Sequence, residues 1–164
     1  MSPMPRATSV LLLAVMGLLP GCSNLSPYST LTKLDLTLTA SDRVNPDVNG
    51  RPSPIVVRLL ELRNPVAFEN ADFFSLYGRA ENTLPKDLVS SEEWELRPGE
   101  QVALKLRATP GSRYLGVLAA YRDLPQARWR HVVPLAVESR TQVDLLLDEA
   151  GVRATALQTA KAGD

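Results

Sequence analysis

The chain has 164 residues, with 18 Lys and Arg against 18 Asp and Glu, one His and one Cys. That charge balance gives no electrostatic case for nucleic acid or for an anionic membrane surface. A single cysteine cannot close an internal disulfide, so the stability of one compact domain has to come from its packed core.

At the N-terminus, MSPMPRATSV carries Arg6 as its sole side-chain charge, and Val10 to Leu19 is an uninterrupted apolar run ending in Pro20-Gly21-Cys22. Ten apolar residues are too few to cross ~30 Å of hydrocarbon, which takes about 20. A basic start, a short hydrophobic stretch and a small residue at the boundary predict a secretory signal peptide over residues 1–21. Leu19-Pro20-Gly21-Cys22 resembles the bacterial lipobox: Leu at the first position and Gly before Cys fit, and Pro20 departs from the usual third element. In that motif the leader is cut before the cysteine and the new N-terminal residue is acylated. Cys22 is therefore the candidate lipidation site, with covalent lipid such as palmitate there and no other cofactor and no metal expected. Several acyl chains anchor a protein stably, whereas one gives only marginal binding.

The mature chain would hold 143 residues, 17 basic and 18 acidic. Residues 22–32 read as a lipidated tether, polar and small, and Ser23 to Thr32 fully extended reach roughly 33 Å. In lipoproteins of Gram-negative bacteria, Ser rather than Asp after the acylated Cys implies transfer to the outer membrane, with the domain facing the periplasm.

Strands dominate the remainder. Leu34, Leu36, Leu38 and Ala40 alternate with Asp35, Thr37 and Thr39, the period of a strand with one buried face. Ile55 to Leu62, Leu88 to Leu96 with Trp94, Val102 to Arg107, Tyr114 to Tyr121, Val132 to Val137, Thr141 to Leu147 and Val152 to Leu157 complete the set. Tyr114 to Tyr121 reads as a central strand, and Asp148 to Gly151 as a hairpin turn. Pro65 to Tyr77 is the one helical segment, with Asn64 as N-cap, Pro65 at the first position and an apolar stripe of Phe68, Ala71, Phe74 and Tyr77. Seven or eight strands with one short helical insertion predict an all-β fold, a β-sandwich over residues 33–158 followed by a flexible tail at 159–164.

The chemistry of catalysis is missing. His131 is the only histidine, at the start of an apolar run, and reads as structural. There is no HExxH, no paired Cys, no GxSxG and no glycine-rich phosphate loop. Glu92-Glu93 sits in a polar stretch and reads as solvated surface. No enzymatic activity is expected.

One connection stands out. Ser41 to Pro54 (SDRVNPDVNGRPSP) is long for a link that a hairpin closes with two to five residues. Three prolines stiffen it, and Asn45-Pro46 and Asn49-Gly50 set local turns. A stiff loop presented by a rigid sandwich is a common way to build a recognition surface. Asn45, Pro46, Asp47, Asn49, Gly50 and Arg51 are the candidate partner-binding residues.

Taken in order, these segments resemble the outer-membrane lipoprotein of type VI secretion systems, the TssJ (VasD/SciN) family. The resemblance rests on Asn45-Pro46-Asp47, Gly50-Arg51-Pro52-Ser53-Pro54 running into Ile55-Val56-Val57-Arg58-Leu59, and Phe68 with Ala71 to Tyr77. It continues through Leu96-Arg97-Pro98-Gly99, Tyr114-Leu115-Gly116-Val117, Ala119 to Asp123 and Trp129-Arg130. It implies a transthyretin-like sandwich and a structural role in the secretion membrane complex. The implied partner is the periplasmic C-terminal region of the inner-membrane protein TssM, with TssL reached indirectly, and the loop between the first two strands contributes to that binding. A transthyretin-like sandwich can also serve as a small-ligand-binding or transport lipoprotein, which is the alternative function.

Overall fold

Leu34, Leu36, Leu38 and Ala40 all turn inward on β1 (Lys33–Ala40), as their alternation requires. Seven more strands follow: β2 (Ile55–Leu62), β3 (Leu88–Leu96), β4 (Gln101–Arg107), β5 (Tyr114–Ala119), β6 (Arg130–Pro134), β7 (Ser139–Asp148) and β8 (Gly151–Lys161). This computed structural model describes residues 30–161, so the leader, Cys22 and residues 23–29 of the expected tether lie outside the described residues. The strands form two four-stranded sheets, in the orders β4-β1-β7-β8 and β3-β2-β5-β6. The β1–β7 pairing is parallel and the other named pairings are antiparallel. This is the transthyretin-like sandwich that the resemblance implies.

The principal core lies between the sheets, where Leu36, Leu38, Val143, Leu145 and Leu147 meet Val57, Leu59, Leu115 and Val117. Burying each such side chain contributes about 1.5–3 kcal/mol. A second core covers the outer face of the β3-β2-β5-β6 sheet, where Leu60, Leu62 and Leu118 meet Phe68, Phe73, Leu76 and Leu84. β2 and β5 are therefore covered on both faces, which is why neither alternates cleanly in sequence. Among the described residues, every buried apolar side chain lies between Leu34 and Val152.

The helical insertion differs from the single helix expected over Pro65 to Tyr77. It is split into α1 (Val66–Asn70) and α2 (Phe73–Thr83), broken at Ala71-Asp72, and α2 is itself kinked at Arg79 (φ −148°, ψ 45°). Asn64 does bond the start of α1, its Oδ1 accepting from the Val66 N–H at 2.9 Å. Asp72 is extended (φ −76°, ψ 160°) and caps α2, its side chain accepting from the Ser75 N–H at 3.0 Å. That break resets the helical phase. Phe73, Leu76 and Ala80 then face the sheet, while Phe74 is 74% exposed. The expected core role of Phe74 is thus held by Phe73, whose ring stands edge-on to Trp129 with centroids 5.3 Å apart.

The ends of three strands, β5, β6 and β8, also differ. β5 stops at Ala119, and β6 begins at Arg130 and ends at Pro134, which has no N–H to extend the ladder. Residues 159–161, expected in a flexible tail, continue β8, with Thr159 opposite Thr141 and Lys161 opposite Ser139. Glu92 and Glu93 lie on β3, both exposed, with Glu93 paired to Arg58 at 2.7 Å.

The sandwich has two poles. The chain enters at Lys33, and β1 carries it about 26 Å to Ala40, where the long connection to β2 begins. The connections 120–129 and 148–151 lie at that same far pole, because β5 ends and β8 begins there.

Phe73→Ala is expected to cost about 3–5 kcal/mol in urea unfolding, and Phe74→Ala less than about 1. Equal losses for the two variants would contradict this assignment of the helix faces.

Candidate partner-binding site

The 41–54 connection folds onto itself in two nested turns. The Ser53 N–H donates to the Val44 carbonyl at 3.1 Å, closing the outer turn. Inside it, the Asp47 N–H donates to the Arg51 carbonyl at 2.8 Å and the Gly50 N–H to the Asp47 carbonyl at 2.9 Å. Gly50 sits at φ +76°, the left-handed region that this tight turn requires. Val44 is fully buried beneath the loop, joining it to the principal core.

Two side chains brace these turns. Asn45, at φ +48° and 4% exposed, donates from Nδ2 to the Pro54 carbonyl at 2.9 Å. Its Oδ1 accepts from the Arg122 N–H, also at 2.9 Å, tying the loop to the connection after β5. Asn tolerates the left-handed region better than most residues, which suits it to this position. Asp47 accepts through Oδ1 from the N–H groups of Asn49 (2.8 Å) and Arg51 (2.9 Å). Its Oδ2 meets the Arg51 guanidinium at 2.8 Å. The Arg51 backbone N–H and then its side chain hold the Asp47 carboxyl below the usual carboxylate range.

The far pole is closed by contacts between the other connections. The Arg128 N–H donates to the Ala150 carbonyl, and the Val152 N–H to the Arg128 carbonyl. A Cβ on Gly151 would come within 2.5 Å of the Arg128 backbone, so only glycine allows this approach. Arg43 pairs with Glu149 at 2.7 Å across the surface. Between the 41–54 loop and residues 121–127 runs a groove of about 560 Å³. Tyr121 lines it, 5% exposed, and among the described residues its hydroxyl has no hydrogen-bond partner. Burial first, then the Asp148 and Glu149 charges, push the phenol up, so it remains a protonated donor at neutral pH.

Six residues of this loop are the sequence-based candidates, and they divide into two sets. The side chains of Asn45 and Asp47 are spent inside the loop as braces. Asn49, Gly50 and Arg51 are exposed, with Pro46 half-buried and Val48, outside the candidate set, fully exposed at the tip. Tyr121 and Arg122 were not among the candidates. Their signal could be found only in the fold, because both lie some 77 residues from Asn45 in sequence. His131 is half-buried on β6, and burial, then the Arg128 charge, lowers its pKa. Among the described residues, no group of three His, Cys, Asp or Glu side chains is placed to hold a metal ion, and no helix is long and apolar enough to cross a membrane.

Asn45→Ala strands the Pro54 carbonyl and the Arg122 N–H and puts a Cβ-bearing residue with no local hydrogen bond at positive φ. The expected loss is about 2–4 kcal/mol in urea unfolding, against about 0.5 or less for Asn49→Ala. A loss under about 1 kcal/mol for Asn45→Ala would remove Asn45 as the brace.

Residues 32–150 match the family model described as Type VI secretion lipoprotein, VasD, EvfM, TssJ. The lipoprotein TssJ1 from Pseudomonas aeruginosa shares 34% identity and a TM-score of 0.74, over 80% of this chain and 98% of that one. Serratia marcescens Lip, a membrane-bound component of the type VI secretion system, shares 28% identity and a TM-score of 0.71, over 76% and 98%. Chains from structures of a type VI membrane complex and of the TssM C-terminal domain from EAEC share the fold. Each is 22% identical, with TM-scores of 0.66 and 0.62, over 77% and 76% of this chain and 99% and 98% of those. No curated protein sequence matches the chain. With the family model covering most of its length, this chain belongs to the type VI secretion lipoprotein family, TssJ.

Proposed function

We propose that this lipoprotein is held at the outer membrane by acyl chains on Cys22. Its far pole, facing the periplasm, would receive the C-terminal region of TssM and through it connect to TssL. The observation that carries this reading is the rigid 41–54 loop at the pole opposite the point where the chain enters from the tether. A loop already held in one shape loses little entropy on docking. Pro46, Val48, Asn49, Gly50 and Arg51 offer the contact surface. The role is structural: the chain acts by holding partners, with no catalysis and no cofactor beyond its lipid. A chain from a structure of the TssM C-terminal domain has this fold, which supports the choice of partner.

Cys22→Ser is expected to abolish palmitate labelling and outer-membrane fractionation while leaving the thermal melt unchanged, since the core begins at Leu34. An unlabelled wild type would overturn the lipoprotein anchor at this residue.

Replacing Ser41 to Pro54 by a short Gly-Ser link should weaken binding of the TssM periplasmic fragment at least about tenfold, mainly through the off-rate. Calorimetry on the chain from Ser23 onward, beside a melt of each variant, measures this. A folded loop replacement with unchanged affinity would place the contact elsewhere on the sandwich.

A further inference from the structure

We infer that the entry pole is itself a membrane-contact surface, which binds anionic phospholipid headgroups and sets the domain upright over the bilayer. This inference rests on the lipid-anchor reading only for its biological setting, because the contact is made by side chains of the folded domain. The balanced net charge conceals the feature, since the charges are not evenly spread along the molecule.

Arg107, Lys33 and Arg140 stand directly opposite one another across β4, β1 and β7. Cross-strand partners share a face, and because Leu34 points inward, this row points outward at the end of the sandwich. Like charges placed directly opposite destabilise a sheet, so a row of three cations is unfavourable unless an anion lies against it. Among the described residues, Lys33 and Arg107 make no ion pair, and Arg140 has only Asp35 at 3.8 Å. Asp35 also stands opposite a further cation, Lys105 on β4. The other sheet adds exposed Arg63 and Arg113 at the same end, joined through the Arg113 N–H to the Leu62 carbonyl. Glu61 there is already engaged, accepting from the Thr109 N–H at 2.7 Å and the Ser112 hydroxyl at 2.6 Å. Among the described residues, Asp87 beside Lys86, Glu138 in the turn before β7 and Glu69 on α1 are the other acidic side chains near this end, and with Asp35 and Glu61 they are outnumbered by the cations.

Apolar exposure follows the same pattern. Leu31, Val66 and Val137 are 43%, 57% and 44% exposed, three of the six large apolar side chains exposed among the described residues. All three are at this pole: Leu31 just before β1, Val66 at the start of α1, and Val137 beside the Glu138 N–H that donates to the Thr32 hydroxyl. Cations flanked by exposed aliphatic side chains suit a headgroup region, where charge meets phosphate and apolar tips enter the acyl boundary. The chain's route to Cys22 also leaves from here, through Thr30 to Thr32, so the tether would deliver this end to the lipid surface.

The test uses the chain from Ser23 onward, which lacks the acylated residue, with sedimentation onto vesicles at low salt. Vesicles with 30% phosphatidylglycerol in phosphatidylcholine are expected to bind it, and pure phosphatidylcholine vesicles to bind it at least tenfold more weakly. Each cation near an anionic surface is worth about fivefold, so Lys33→Gln/Arg107→Gln/Arg140→Gln should lose up to about a hundredfold. Arg97→Gln/Arg153→Gln, away from this pole, should bind like wild type. Binding should fall as salt rises from 20 to 150 mM, as screening demands. Failure to bind anionic vesicles, equal binding to both compositions, or unchanged binding by the folded triple variant would each overturn the inference. None of these outcomes depends on acylation, so they leave the anchor at Cys22 to its own labelling test.

Discussion

The side-chain amide of Asn45 is the contact on which the far pole depends. It spends both of its polar atoms at once, one on the Pro54 carbonyl at the end of its own loop and one on the Arg122 N–H of a different connection. The amide itself is 4% exposed, so a replacement side chain would have to fill a buried site and forgo both hydrogen bonds. Through it, a fourteen-residue connection that would otherwise sample many shapes is held as an extension of the sandwich. Asp47 works one turn further out, fixing the tip against Arg51. Val44 supplies the apolar footing beneath both.

A rigid far pole has a purpose only if it points in a useful direction, and the strand order settles that direction within the domain. β1 begins at the entry pole and ends at the loop, so the entry point of the chain and the 41–54 loop are separated by the full length of a strand. Three of the connections at the far pole are tied together by backbone hydrogen bonds at Arg128, by the Arg43–Glu149 pair and by the Asn45 amide. The surface pair contributes little energy by itself. The backbone bonds, allowed by the absence of a side chain at Gly151, do more to fix the relative positions of these connections.

Much of the fold is legible in sequence because one-sided strands must alternate. β1 and β4 show this plainly, and their registry follows once Leu34, Leu36 and Leu38 are placed inward. Where the strand is covered on both faces, as in β2 and β5, the same physics yields an apolar run that identifies the element but hides which side chain faces which layer. The helical insertion misleads for a different reason. Counting threes from Phe68 reaches Phe74, but Asp72 begins a new helix and moves the buried position to Phe73. Asp72 with Ser75 three residues on was the available signal. The loop itself was legible from its length and prolines, and six of its residues could be named. The division of labour among them was not, because the partner of Asn45 is a backbone group 77 residues away. Tyr121 and the cation row at the entry pole were invisible for the same reason, since both exist only when distant strands are brought together.

The central claim is that the 41–54 loop is already ordered before any partner arrives. Backbone ¹⁵N relaxation on the chain from Ser23 onward tests this directly. The account predicts order parameters of about 0.85 at Asn45, Asp47, Arg51 and Ser53, matching those along β1. Values below about 0.6 at these four residues, with β1 rigid, would contradict it and make the loop a flexible connection that takes shape only on binding.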